Sequence, residues 1–204
     1  MIGGTGKSGK YLVQQLLSLA FPLKILVRNP ETCQIKSPVV EIIQGDARNV
    51  EAVRSLIEGC QAVISTLGQP KGETPIFSQA TTNIIRAMTE CGIKRYILTT
   101  GLNVDTAMDK KSVKTAFATE WMKKNYPQTT ADKQKELDLL SESDINWTLV
   151  RLPLIELTDK KSEWKISLED CPGEKISATD LADFLLGQLF EGSYIRKAPF
   201  IANV

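Results

Sequence analysis

The chain contains no histidine. That absence removes Ser-His-Asp hydrolysis, Cys-His chemistry and histidine-ligated metal centres together. Any proton transfer must use Lys, Tyr, Asp, Glu, a hydroxyl or a cofactor. Cysteine is sparse: Cys33, Cys60, Cys91 and Cys171 are widely scattered, with no C-x-x-C pair. That pattern points to reduced thiols in a cytoplasmic protein. No apolar run reaches the roughly 18 residues of a membrane span, and no signal-peptide pattern is visible. Neither sign of charge prevails, with 25 basic and 24 acidic residues and a net charge of +1. Nothing in that balance calls for nucleic acid or an acidic surface as partner. Repeats, linkers and low-complexity segments are also missing. At 204 residues the chain is expected to be one domain with a real core.

What is present starts at once. Gly3-Gly4-Thr5-Gly6-Lys7-Ser8-Gly9 carries G-x-G-x-x-G spacing in Gly4, Gly6 and Gly9, and G-x-x-G-x-x-G spacing in Gly3, Gly6 and Gly9. Both place a tight turn between a strand and a helix. Glycines there let backbone amides approach a pyrophosphate, and the helix N-terminus adds its positive end. Gly6-Lys7-Ser8 also resembles the end of a P-loop, but that motif needs a glycine where Met1 stands. A helix-entry turn without a ligand is the bland alternative. Only Met1 and Ile2 precede the turn, where a Rossmann unit needs a strand of about 5 residues. The expectation is a truncated first strand, from an N-terminus trimmed inside it.

The remainder alternates. Leu12, Val13, Leu16, Leu17 and Ala20 form one stripe of a helix over 7–20, and 23–27 is a short apolar strand. A strand over 39–43, a helix to Ile57 capped by Asn49, and a strand over 62–65 follow. A polar loop over 69–74 leads to a helix over 77–90 and a strand over 96–98. Strand-helix repetition predicts an α/β fold: a Rossmann-type doubly wound parallel sheet in three α/β/α layers. The segment 103–130 interrupts the rhythm. Its helix over 113–124 carries Phe117, Trp121 and Met122, either as core packing or as a lid over the site. Next come a helix over 131–140, a strand over 147–150 and an extended piece over 164–168. Ser177-x-x-Asp180 then opens a helix in the manner of a capping box, and a strand over 199–202 follows.

In such a sheet, ligands bind beyond the carboxyl ends of the strands. That rim collects the glycine turn, Arg28-Asn29, Asp46-Ala47, Thr66-Leu67-Gly68 and Thr99-Thr100-Gly101, with Pro153 ending a sixth strand. Arg28 stands 19 residues after Gly9, where an acidic residue would clasp the ribose of NAD. A guanidinium binds a 2′-phosphate through paired charged hydrogen bonds, so Arg28-Asn29 favours NADP. Lys7 is a candidate second cation, and Asp46 with Ala47 is expected near the adenine. A solvated surface role is the alternative for Arg28, and ordinary loop chemistry for Asp46.

Together with Leu26-Val27-Arg28, Gly45-Asp46-Ala47, residues 92–96, 147–153 and 176–182, the glycine turn resembles the atypical short-chain dehydrogenases/reductases of the NAD(P)H-binding, NmrA-like group. Flavin and biliverdin-IXβ reductases belong to that group. The resemblance spans nearly the whole chain. It implies NADPH bound by Gly3, Thr5, Gly6, Lys7, Ser8, Gly9, Arg28, Asn29, Asp46, Ala47, Thr66, Leu67, Gly68, Thr99, Lys133 and Pro153. Typical members use a Ser or Thr with Tyr-x-x-x-Lys. Thr100, or Thr99, matches the hydroxyl and Lys133 the lysine, although a solvated helix lysine is the alternative. Thr129 stands where the phenol belongs, and Tyr126 lies out of register, so the usual proton donor is absent or displaced. Three readings stay open: an NADPH-dependent reductase of a conjugated or flavin-like acceptor, a non-catalytic NADP(H)-binding sensor, and a sugar-nucleotide epimerase or dehydratase. The expected partner is a small-molecule acceptor, and the expected assembly a monomer or homodimer.

Overall fold

The computed structural model of the chain describes residues 1–69 and 72–204. Pro70 and Lys71, within the expected loop over 69–74, lie outside the described residues. The elements in chain order are α1 (Gly9–Ser18), β1 (Leu23–Val27), β2 (Val40–Gln44), α2 (Val50–Ile57), β3 (Ala62–Ser65), α3 (Phe77–Glu90) and β4 (Arg95–Gly101). After these come α4 (Val113–Asn125), α5 (Pro127–Glu142), β5 (Asn146–Leu152), β6 (Leu154–Glu156), β7 (Trp164–Ser167), β8 (Lys175–Ser177), α6 (Ala178–Gly187) and β9 (Phe200–Asn203).

β1 and β2 pair in parallel, and β3-β4-β5-β9-β7 form a second run in which only β7 is antiparallel. The stub Met1-Ile2 joins the two. Ile2 N–H donates to the Ile64 carbonyl at 2.9 Å, Thr66 N–H donates to the Ile2 carbonyl at 3.0 Å, and Leu26 N–H donates to the Met1 carbonyl at 3.0 Å. The lateral order is therefore β2, β1, stub, β3, β4, β5, β9, β7. Chain order reverses at the stub, which makes the crevice between it and β3 the switch point where such sheets bind ligands. Met1 and Ile2 are both buried. The Met1 ammonium donates to the Lys24 carbonyl, and burial lowers its pKa to about 5. Beyond it, on the rim opposite the glycine turn, lies a cleft of about 1030 Å³ lined by Met1, Leu16, Phe21, Ala62 and Ile64 among others.

Side chains alternate across the strands, so each strand feeds two cores. On β4, Tyr96 and Leu98 pack with Ile84, Met88 and Leu140 of α3 and α5, whereas Ile97 packs with Leu12, Leu16 and Leu181 of α1 and α6. The sheet is thus sandwiched in three layers. Asn49 accepts from Ala52 N–H at 3.0 Å and caps α2. Ser177 accepts from Asp180 N–H at 3.0 Å and caps α6.

Several boundaries differ from the sequence expectation. α1 starts at Gly9 rather than at residue 7, so Lys7 stays in the turn. β4 continues through Thr99, Thr100 and Gly101, because those residues keep register with Val150, Arg151 and Leu152. α5 starts at Pro127, where a proline lacking N–H costs no helical bond. On α4 the buried residues are Thr115 and Thr119, whereas Phe117 is 73% exposed and Trp121 is also exposed. Core packing does not account for those two aromatics.

Candidate active site

The glycine turn is shaped by close backbone approach. Gly3 has φ +79°, and a Cβ there would lie 2.5 Å from the Thr66 carbonyl oxygen. A Cβ on Gly9 would lie 2.2 Å from the Gly3 carbonyl oxygen. Thr66 Oγ1 donates to that same oxygen at 3.2 Å, tying the end of β3 to the turn. These contacts make Gly3 and Gly9 structural. Gly6 differs: its N–H donates to Gly3 at 2.9 Å, and a Cβ would meet only the Gly3 oxygen, at 3.0 Å. One side of the turn is thus open backbone. No side chain caps α1, and Thr5, Gly6 and Lys7 are exposed. A cradle of amides at an uncapped helix start fits a pyrophosphate.

The rim beyond β1 and β2, where the sequence places the adenosine, is charged and accessible. Arg28, at the end of β1, is 57% exposed and donates to Glu73 Oε1 at 3.3 Å. Arg48, after β2, donates to both oxygens of Asp46 at 3.0 and 2.8 Å and reaches Glu73 Oε2 at 2.8 Å. Asp46 also accepts from Arg48 N–H at 2.8 Å, and its pKa lies below the usual carboxylate value chiefly through the Arg48 hydrogen bond. Arg48 is held correspondingly in its charged form. Asn29 and Gly68 are exposed here, and the buried Ala47 offers its carbonyl to Asn83 at 2.9 Å. Arg48 and Glu73 had no motif to signal them. A basic residue two places after Asp46 was the available hint.

The rim at the end of β4, where the sequence places the nicotinamide, is built differently. Thr100 is buried, and its Oγ1 has no hydrogen-bond partner among the described residues. An orphaned hydroxyl at a strand end is the polar group a ligand would satisfy. α5 is docked beside it by Asp132, which accepts from Phe77 N–H at 2.8 Å, Ser78 N–H at 3.2 Å and Ser78 Oγ at 2.5 Å. A carboxylate of α5 thus caps the start of α3. The next residue, Lys133, places Nζ 4.8 Å from the Phe77 ring centre and 3.8 Å from where a Gly101 Cβ would stand. Thr100 and Lys133 therefore share the end of β4. Burial pushes the Lys133 ammonium below the usual lysine value, opposed by the nearby Glu136 charge. Glu136, one turn further on, is buried with Oε1 accepting from Thr81 at 2.7 Å and Oε2 without a hydrogen-bond partner among the described residues. Burial raises its pKa to about 7.

Tyr126 sits at the junction of α4 and α5, 51% exposed, its ring 5.8 Å from Trp121. Seven residues separate it from Lys133, a helical rise of about 10 Å. The structure does not bring the two into the one-turn spacing of Tyr-x-x-x-Lys. Thr99 and Pro153 are half-buried near the ends of β4 and β5. Behind Pro153, the fully buried Arg151 donates to the carbonyls of Ala198, Val104 and Leu168 and pairs with Asp109 at 2.6 Å. Its guanidinium carbon stacks 3.5 Å from the Phe200 ring centre. This pins the segment after β4 to the sheet.

Comparison with known proteins follows the same lines. Residues 3–192 match the model of the NAD(P)H-binding family. The chain belongs to that family. Among relatives, an isoflavone reductase homologue of Nicotiana tabacum is 34% identical over 129 residues, covering 58% of this chain and 40% of the relative. The chain thus spans less than half the length of that relative. An uncharacterized chloroplastic protein of Arabidopsis thaliana is 27% identical over 73% of this chain and 56% of its own length. Among solved structures, ChuY, an anaerobilin reductase from Escherichia coli O157:H7, superposes with TM-score 0.83 and 18% identity, over 99% of this chain and 95% of that one. A short-chain dehydrogenase/reductase of Veillonella parvula in complex with NADP gives 0.82 and 15%, over 99% and 92%. These likenesses establish the fold. Among the described residues no helix is long and apolar enough to cross a membrane, and no cluster of His, Cys, Asp or Glu is set to hold a metal.

Proposed function

We propose that the chain is an NADPH-dependent reductase that delivers hydride to a small conjugated or flavin-like acceptor. The observation that carries this reading is the presence, at the end of β4, of both the orphaned Thr100 hydroxyl and the buried Lys133 ammonium. The amide cradle at Gly6 would hold the pyrophosphate and Arg28 the 2′-phosphate. Bound cofactor supplies the hydride from its reduced nicotinamide. Lys133 would donate to the ribose hydroxyls and Thr100 would orient the acceptor. With no phenol in register, the acceptor would take its proton from water, through Thr100, or from Tyr126. α4, with Phe117 and Trp121 uncovered, would close over the acceptor. The names of relatives, among them an isoflavone reductase homologue and an anaerobilin reductase, support a conjugated acceptor.

Stopped-flow oxidation of bound NADPH against flavins, linear tetrapyrroles and conjugated enones tests the proposal. Single-turnover oxidation should survive Tyr126→Phe better than Lys133→Ala. Near-complete loss with Tyr126→Phe and little with Lys133→Ala would mean that the donor and the ribose anchor are misassigned. The missing phenol favours a second reading, an NADP(H)-binding sensor. Tight NADPH binding with no oxidation by any acceptor would select it.

A further inference from the structure

The side chains at the ends of β1 and β2 do more than expose one arginine. A single carboxylate, Glu73, spans two guanidiniums, with Oε1 on Arg28 at 3.3 Å and Oε2 on Arg48 at 2.8 Å. Its backbone carbonyl accepts from Gln69 Nε2 at 2.8 Å, which helps to fix it there. Arg48 is aimed by its two bonds to Asp46. An oxyanion bridging two arginines has the sign of charge, and part of the oxygen geometry, of a phosphate monoester.

We infer that Arg48 is the second cation of the 2′-phosphate site, and that Glu73 is a built-in competitor whose place the phosphate takes. The inference rests on the assignment of Arg28 to the 2′-phosphate. The charges explain the competition. Arg28 and Arg48 contribute two positive charges, and Asp46 and Glu73 two negative ones, so the cluster is neutral before binding. A 2′-phosphate brings close to two further negative charges. It gains both arginines only by displacing Glu73, which leaves for solvent from a site where it is 36% exposed. NADH carries no anion at that position and leaves the Glu73 bridge intact. Glu73 therefore weakens NADPH binding selectively and sets how strongly the protein discriminates between the two cofactors.

The test is equilibrium titration of the full chain with 2′,5′-ADP and 5′-AMP, and in parallel with NADPH and NADH. Glu73→Gln is expected to tighten 2′,5′-ADP and NADPH about three- to tenfold while 5′-AMP and NADH stay within about twofold, the modest size reflecting solvent-exposed pairs. Arg48→Gln is expected to weaken the phosphorylated member of each pair about tenfold and spare the other. The salt dependence of NADPH binding should steepen in Glu73→Gln, because no internal ion pairs then offset the new ones. Unchanged or equal shifts for both members of a pair, in either variant, overturn the inference. Arg28→Ala separates the two levels. If it too affects both members equally, the 2′-phosphate assignment itself falls. If it is selective while the other two variants are not, only the roles of Arg48 and Glu73 fall. All three side chains lie at the surface, and a thermal melt of each variant verifies that the fold persists.

Discussion

The two halves of the crevice hold charge in opposite ways. Beyond β1 and β2, Arg28, Arg48, Asp46 and Glu73 are partly exposed, pair with one another and are screened by water. Beside the end of β4, Lys133 and Glu136 are drawn into the protein, and burial moves both toward their neutral forms. The first arrangement changes selectivity at little cost to the fold, because exposed pairs contribute little to stability. The second is coupled to folding, because a buried group that changes charge must be accommodated by its surroundings. Variants beyond β1 and β2 should therefore alter affinity alone, and variants behind the end of β4 should alter stability as well.

The largest effect is expected at Arg151. Its guanidinium is enclosed by three carbonyls, Asp109 and the Phe200 ring. Arg151→Ala would leave those carbonyls without this donor and take the guanidinium from Asp109, which stays bonded to Thr106 and paired with Lys111, at a cost of about 3–5 kcal/mol. Urea denaturation would read this as a lower midpoint. A loss under about 1 kcal/mol would mean that water replaces the arginine and that the segment after β4 is not anchored by it.

Glu136 sharpens the contrast through pH. Its folded pKa, about 7, lies above the ordinary 4.5. A carboxyl raised in this way costs nothing below the unfolded pKa, where it is protonated in both states. It destabilises the fold increasingly as pH rises from about 4.5 to about 7, and the penalty is complete above that. The penalty is up to about 3 kcal/mol for a shift of this size. Glu136→Gln, which retains an acceptor for Thr81, should therefore gain stability relative to wild type at pH 8 but not at pH 4. Thermal melts at the two pH values check this, and a pH-independent difference would place the carboxyl in a wetter site.

At the glycine turn the fold should be untouched. A Cβ at Gly6 meets only one oxygen, at 3.0 Å, so the turn can accommodate it by a small shift. The methyls of Gly6→Val would occupy the space proposed for the pyrophosphate. Titration is expected to show NADPH binding abolished while the melting temperature stays within a few degrees of wild type. Wild-type affinity would mean that the turn is structural only.

How much of this could be read from sequence follows from the range of the interactions. The helix stripe of α1, the Asn49 cap and the Ser177-Asp180 cap are local, and each is legible within a few residues. Thr99 and Thr100 look like loop residues because they are polar. Only their register with β5, about 50 residues away in the chain, draws them into β4. The Asp132 cap on α3 bridges residues 55 apart, and no local pattern announces it. Glu73 joins Arg28 and Arg48 across three separate loops, so its role was invisible in the chain. In the sequence α4 stays open between core packing and a lid for another reason. Its helical stripe of Phe117 and Trp121 suggests a core face, yet the helix packs through Thr115 and Thr119. Apolar spacing identifies a face that seeks cover without saying what covers it.

The smallest effect is expected where the sequence was clearest. Arg28 is more than half exposed, and its bond to Glu73 is the longer of the two in the bridge. Solvent competes for its guanidinium, and a neighbouring cation remains when it is removed. Arg28→Ala should therefore weaken NADPH by about tenfold, near 1.4 kcal/mol, rather than by the larger loss of a buried charged contact. NADH affinity should change by less than about twofold. Fluorescence titration with both reduced cofactors at one ionic strength measures the ratio directly, and repeating it at higher salt should shrink the difference as screening grows. An NADPH loss that persisted undiminished in high salt would place Arg28 in a desolvated contact and erase the contrast between the two halves of the crevice.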